Sequence, residues 1–215
     1  MTLTMVSEEI ERYAVEHTTV LPPHMTDLMH STQESREDSG MLSGPIEGTL
    51  LQVLALAVGA RRILEVGTFT GFSAQMMAAA LPEGGELITL DVDEESGAFA
   101  REHMERGPLG HKITQLFGPA LETMATLEAP FDLVFIDADK ENYIAYYERA
   151  MELLSPTGII AVDNTIWGGA VLDPKTTSDI AIAALNDHVK ADRRVRHVLL
   201  PVRDGVMLVT PNRAG

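Results

Sequence analysis

From Arg61 onward, short apolar runs alternate with stretches whose apolar residues recur at every third or fourth position. The runs at 62–66, 86–90, 112–117, 131–136 and 158–162 read as strands, and helices fit between them, starting near Gly71, Glu94, Ala120 and Glu141. Strand-helix alternation of this kind predicts a parallel sheet covered on both faces, an α/β fold. The tail departs from it. A helix over 177–190 is followed by two apolar runs, 195–202 and 206–209, separated by Arg203-Asp204-Gly205. Asp-Gly there is a tight-hairpin signal, so the sheet is expected to finish with an antiparallel pair. Ahead of the alternation, residues 1–60 read as an appended helical cap, most irregular over 19–44, where Pro22-Pro23 and a polar run over 31–40 fall.

Length and charge narrow this picture. A chain of 215 residues that is 45% hydrophobic, with no repeat or low-complexity linker, fits one domain spanning 1–215. Its 32 acidic and 16 basic residues leave a formal charge of −16, which repels nucleic-acid phosphates and anionic membranes, so neither is an expected partner. Without cysteine there are no disulfides, thiolate-bound zinc or thiol nucleophile. The longest apolar stretch, 50–60, falls short of the ~20 residues that span a bilayer. Residues 1–11 carry acids where a secretory signal would carry basic residues, and a cytoplasmic location is expected.

Strand ends in two regions of the chain carry candidate chemistry. Ile63-Leu64-Glu65-Val66-Gly67-Thr68-Phe69-Thr70-Gly71-Phe72-Ser73 follows one strand and opens a helix. Glycines there allow a tight turn and close approach to a ligand beside free helix N–H groups. A second strand ends at Asp91, where a ribose diol would need an acceptor. A nicotinamide site would carry Gly-x-Gly-x-x-Gly for a pyrophosphate. Glu65 just before the first glycine instead suits a ligand with an ammonium group and no phosphate, which favours S-adenosylmethionine.

The other region is Phe131-Asp132-Leu133-Val134-Phe135-Ile136-Asp137-Ala138-Asp139-Lys140, echoed by Ile159-Ile160-Ala161-Val162-Asp163-Asn164. Adjacent parallel strands would bring Asp137, Asp163 and Asn164 together as oxygen ligands of a hard cation, magnesium, calcium or manganese rather than zinc. Each acid alone could simply cap the next helix. Two carboxylates and an amide converging beside a cofactor edge call for a counter-ion, and metal binding is the better account. Lys140, three residues beyond Asp137, could take the proton from a metal-bound hydroxyl.

A parallel doubly wound, Rossmann-like sheet with an antiparallel C-terminal strand resembles the class I methyltransferases. More closely, the chain resembles the cation-dependent O-methyltransferases, the group with catechol and caffeoyl-CoA O-methyltransferases, and its bacterial small-molecule members above all. The motifs are Leu64-Glu65-Val66-Gly67-Thr68-Phe69-Thr70-Gly71, Phe135-Ile136-Asp137-Ala138-Asp139-Lys140-Glu141-Asn142-Tyr143 and Val162-Asp163-Asn164-Thr165-Ile166-Trp167, within a resemblance running from about residue 41 to 209. It implies Asp137, Asp163 and Asn164 as metal ligands and Lys140 as base. It also implies contacts of Ser43, Glu65, Gly67, Ser73, Asp91, Ala120, Asp137 and Asp139 with S-adenosylmethionine. Lys140, Asn164 and Trp167 would face the acceptor; Trp167 is equally readable as a loop aromatic clamped on the core.

The acceptor expected is a catechol or another ortho-oxygenated aromatic. Residues 1–60 hold only Arg12 and Arg36 as basic residues among nine acids, few partners for coenzyme A phosphates. Gly168 also stands after the tryptophan, where the plant enzymes tend to carry Asn. A hydroxycinnamoyl-CoA thioester is the alternative acceptor. From other classes, the rivals are an NAD-dependent oxidoreductase and a non-catalytic nucleoside-binding protein. The family commonly forms homodimers, so a dimer is expected. The histidines, including His24, His30, His103 and His111, lack metal-binding spacing and read as surface or capping residues, and Met76, Met77 and Met104 read as packing.

Overall fold

The computed structural model describes residues 6–212; residues 1–5 of the segment read for an export signal, and 213–215 of the expected domain, lie outside the described residues. Seven strands form one sheet: β1 (Arg62–Val66), β2 (Glu86–Asp91), β3 (Ile113–Phe117), β4 (Phe131–Ile136), β5 (Leu154–Val162), β6 (Val195–Leu200) and β7 (Val206–Pro211), in the order β3-β2-β1-β4-β5-β7-β6. β1 to β5 pair in parallel, and β7 runs antiparallel to both β5 and β6. The expected α/β class and antiparallel ending are both present. Strand order reverses between β1 and β4, so a crevice opens beyond the carboxyl ends of these strands, the usual ligand position in open α/β sheets.

Both faces of the sheet are covered, which is why its strands read as nearly unbroken apolar runs. Leu64, Val66, Val134 and Ile136 point into a core with α6 (Ala120–Thr126), α7 (Tyr143–Leu153) and α8 (Thr177–Ala191). Their neighbours Ile63, Leu133 and Phe135 point the other way, against α3 (Gly44–Ala57), α4 (Phe72–Ala78) and α5 (Glu94–Arg106). Met77 and Met104 pack in this second core, and Met76 packs beside it with Met25, Leu28, Leu42 and Phe72.

The cap is more regular than its composition predicts. After α1 (Glu8–Glu16), Pro23 opens α2 (Pro23–Ser35) inside the segment expected to be irregular. Proline at a first helical position forfeits no hydrogen bond, and Met25, Leu28 and Thr32 supply a buried face. A 3-10 turn (Ser39–Met41) leads into α3. The run Ser39–Ala57 is apolar and long enough to cross a membrane by composition, beyond the 50–60 stretch read above, yet Leu51 and Ala55 are fully buried in the second core.

Three further details differ from expectation. The helix expected from Glu141 begins as a 3-10 turn (Lys140–Asn142) before α7, and β5 starts at Leu154 rather than near Gly158. The turn between β6 and β7 is not a two-residue hairpin: Leu200 pairs with Val206, and 201–205 form a loop with Arg203 at φ 49° and Gly205 at φ 92°. That loop is zipped to the segment after β5, because Thr165 N donates to Gly205 O at 2.9 Å and Ile166 N to Asp204 O at 2.8 Å. A side chain at Gly205 would meet Ile166 N at 2.7 Å, so only glycine permits the approach.

Candidate active site

A cavity of about 750 Å³ lies over the carboxyl ends of β1, β2, β4 and β5, closed on one side by residues 37–43 of the cap. Its cofactor side is built by the loop after β1. Gly67 has φ 104°, and a Cβ there would stand 1.8 Å from the carbonyl oxygen of Asp137, so the β1 and β4 ends touch through a bare backbone. Asp91, at the end of β2, pins this loop. One of its oxygens accepts Thr68 N at 3.0 Å and Phe69 N at 2.9 Å, while the other accepts Val92 N at 2.7 Å and Asp93 N at 2.9 Å. Asp91 lines the cavity with Ser43, Gly67, Ser73, Ala120, Asp137 and Asp139.

Glu65 departs from expectation. It is fully buried and is not among the cavity-lining residues; Ser73 stands there instead. Ser73 Oγ donates to one Glu65 oxygen and Thr89 Oγ1 to the other, each at 2.5 Å. Burial pushes the Glu65 carboxyl up to about 8, against the pull of these two hydroxyls. Alternation along β1 is the reason: Leu64 and Val66 face one core, so Glu65 turns to the opposite face, beneath the start of α4. Its reach toward a ligand runs through Ser73.

The acceptor side gathers the second constellation. β4 and β5 pair Ile136 with Val162, and this register sets Asp137 beside Asp163 and Asn164. Lys140 Nζ donates to Asp137 Oδ1 at 3.0 Å, Asn164 Oδ1 at 2.7 Å and Tyr143 OH at 2.6 Å. Asp163 is 5% exposed, its Oδ1 has no partner, and burial with the nearby Asp137 charge pushes its carboxyl up to about 7. Among the described residues, no three Asp, Glu, His or Cys side chains already stand as a metal cluster. The donor set is nonetheless of the hard-oxygen kind, and a buried carboxylate oxygen without a partner fits a cation.

Trp167 is both clamped to the core and part of the cavity lining. Nε1 donates to Asp179 Oδ1 at 3.1 Å, clamping the ring to the capping box of α8, while the ring lines the cavity 5.4 Å from Lys140 Nζ. The loop carrying it is coiled into left-handed conformations at Asn164 (φ 58°), Trp167 (φ 51°), Gly168 and Gly169. The histidines stay out of the cavity lining; His103 packs against Phe99 in a tilted ring pair with centroids 4.7 Å apart, and His24 is partly buried with Nε2 unpartnered.

Sequence reasoning missed three residues of the acceptor side. Glu47, in the first turn of α3, is 1% exposed, with Oε1 unpartnered and Oε2 3.9 Å from Arg203 Nε. Burial, followed by the Asp163 charge, pushes its carboxyl well up. Arg203 donates from Nη1 to Leu42 O at 2.9 Å, tying the β6–β7 loop to the cap. Asp204 accepts Gly168 N at 2.5 Å and Asn164 Nδ2 at 3.5 Å, and so props the loop after β5. The Asp-Gly pair was the only signal, and it was read as turn chemistry alone.

A doubly wound sheet with this switch-point cavity, a glycine turn after β1 and an acid ending β2 defines a class I methyltransferase. The chain belongs to the O-methyltransferase family, whose family model matches residues 15–212. Tricin synthase 1 of Oryza sativa subsp. japonica is 36% identical over 222 residues, covering 94% of this chain and 87% of that protein. Caffeoyl-CoA O-methyltransferase 2 of Zea mays is 37% identical over 183 residues, covering 78% of this chain and 69% of the relative. Among solved structures, the O-methyltransferase TomG of Streptomyces achromogenes, involved in tomaymycin synthesis and solved in complex with SAM, superposes with a TM-score of 0.88 at 28% identity, covering 97% of this chain and all of that one.

Proposed function

We propose that this protein transfers the methyl group of S-adenosylmethionine to a hydroxyl of a catechol or another ortho-oxygenated aromatic, assisted by a divalent cation, magnesium foremost, with calcium or manganese as alternatives. The observation that carries the reading is the placement of Asp137, Asp163, Asn164 and Lys140 in the same cavity as Gly67, Ser73 and Asp91. One end thus suits a nucleoside, the other an acceptor oxygen.

Asp91, Ser73, Ala120 and Asp139 hold the cofactor, the ribose diol against Asp91 and the methionine end toward Ser43, Ser73 and Asp137. Asp137, Asp163 and Asn164 would hold the cation, which when bound supplies Lewis acidity and fixes two neighbouring acceptor oxygens. Lys140 is held by Asp137, Asn164 and Tyr143 at that same point. After releasing one of its three protons to solvent, Lys140 takes the acceptor's proton there, and the phenolate oxygen attacks the methyl carbon in line as the sulfur–methyl bond breaks and S-adenosylhomocysteine leaves. Trp167 walls the acceptor ring, and residues 37–43 exclude water from above.

A free aromatic fits the cavity's charge better than a coenzyme A thioester. Nine acids line the cavity and only Lys140 and Arg203 are basic, an unfavourable field for a polyanion. We also retain a homodimer and a cytoplasmic location as parts of the reading; exposed Ile10, Tyr13, Val53 and Leu56 on α1 and α3 supply apolar surface for the former. The test is methyl transfer from labelled S-adenosylmethionine to a panel of catechols and hydroxycinnamoyl-CoA thioesters, with magnesium and with EDTA. Turnover of a free catechol that EDTA abolishes is expected. EDTA-resistant turnover overturns the cation, and turnover confined to the thioesters overturns the acceptor.

A further inference from the structure

Glu47 is a buried carboxylate that neither the fold nor the proposed chemistry yet uses. It sits in the first turn of α3, where a helix N-terminus tolerates an acid, but an exposed acid would serve that purpose equally well. Instead its side chain is sealed in the cavity wall with Oε1 unpartnered. Asp163 Oδ1 lines the same cavity in the same condition, and the Asp163 charge acts on Glu47. Two buried acids facing one cavity, each with a free oxygen, repel one another and lack the hydration they had in the unfolded chain.

The neighbouring cations do not resolve this. Lys140 spends its three donors on Asp137, Asn164 and Tyr143. Arg203 stands 3.9 Å from the far oxygen of Glu47, a long ion pair, and directs Nη1 at the Leu42 carbonyl. The free oxygens of Glu47 and Asp163 therefore remain for a ligand that carries positive charge and takes oxygen donors.

We propose that Glu47 is a further residue of the cation site, adding a third carboxylate to Asp137 and Asp163 and setting how tightly a divalent ion is held. The proposal rests on the metal reading above. Ligand charge count is a main determinant of affinity at oxygen sites, and Asp137 with Asp163 alone only neutralises a divalent ion. Glu47 supplies the excess negative charge; because the three carboxylates do not already stand as a cluster among the described residues, cation binding must draw α3, and the cap with it, onto the sheet. Arg203 is the partner that Glu47 gives up when the ion enters.

The experiment uses the full-length protein without S-adenosylmethionine or acceptor, and follows manganese binding by electron paramagnetic resonance beside thermal unfolding with and without the ion. Glu47→Gln keeps the shape and removes the charge. It is expected to weaken manganese binding at least ~10-fold, while melting at or above the wild-type temperature without metal because a buried repulsion is gone. A purely structural ion pair with Arg203 predicts the reverse: a lower melting temperature and an unchanged dissociation constant, and that result overturns the proposal. Asp163→Asn separates the two levels. If it abolishes manganese binding while Glu47→Gln leaves it within twofold of wild type, only the role of Glu47 falls. If wild type binds no manganese at millimolar concentration, the metal reading falls and Glu47 with it. Should Glu47→Gln not fold, Glu47→Asp, which keeps the charge but shortens its reach, is expected to weaken binding too; unchanged affinity in it overturns the proposal.

Discussion

The two ends of the cavity are finished to different degrees. At the cofactor end the chain satisfies itself: both oxygens of Glu65 are taken by Ser73 and Thr89, and Asp91 accepts four backbone N–H groups. At the acceptor end, Asp163 and Glu47 each keep an unpartnered oxygen, and a single lysine bridges Asp137, Asn164 and Tyr143. The first end is a rigid mould whose shape exists before any ligand arrives. The second holds unspent charge, which is what the proposed proton transfer and cation binding would draw on. Preorganisation and reactivity are thus divided between neighbouring strand ends of one sheet.

Breaking the mould should have the largest effect. Gly67→Ala places a Cβ against the Asp137 carbonyl at a φ that alanine avoids, and is expected to cost more than ~4 kcal/mol, read as a collapse of the thermal unfolding temperature together with loss of cofactor binding. Next comes the acceptor end. Asp163→Ala should lower kcat/KM by ~10³-fold or more while calorimetry finds S-adenosylmethionine affinity within about threefold of wild type. A parallel loss of cofactor affinity would erase the division between the two ends. Lys140→Met should lower kcat by ~10²-fold and flatten its rise with pH, because the group that accepts the acceptor's proton is gone; an unchanged pH profile would remove Lys140 from the role of base.

Smaller effects sharpen the same contrast. Asp91→Ala is expected to loosen the cofactor ~10-fold through lost ribose contacts and a slackened 67–69 loop, with kcat at saturating cofactor nearly kept. The least is a pH effect at Glu65. Its carboxyl titrates near 8 when folded against 4.5 when unfolded, so the folded state holds the proton more tightly. The stability this contributes is fully present below pH 4.5 and is lost as pH rises through about 8. The ligand-free protein should accordingly lose melting temperature over that window, and Glu65→Gln should lose less; equal slopes would mean that Glu65 is ionised in the folded chain.

Most of the frame was legible because parallel strands buried on both faces announce themselves as apolar runs, and the polar residues that terminate each run mark the chemistry at the carboxyl ends. Asp137, Asp163 and Asn164 came out of that logic, and the register of β4 with β5 set them side by side. The cap was less legible. Pro22-Pro23 reads as a breaker, yet Pro23 starts α2, because proline at a first helical position costs no hydrogen bond and Met25 and Leu28 give the helix a buried face. Glu65 was expected at the cofactor and lies instead behind Ser73, outside the cavity lining, since a motif gives position along a strand and not depth behind a neighbouring helix.

By itself the sequence determined the class of fold, the order of chemistry along it, and the glycine and acid positions at the strand ends, for these depend on local periodicity and on residues a few positions apart. Only the tertiary structure decided that Glu47 from the cap faces Arg203 from the last loop in the cavity wall that also holds Asp163, that Asp204 props the Asn164 loop, and that Lys140 reaches the Asn164 oxygen. Contacts between residues 24 to 161 positions apart leave no periodic trace, because they depend on how whole elements pack and on which buried charges are left needing a partner.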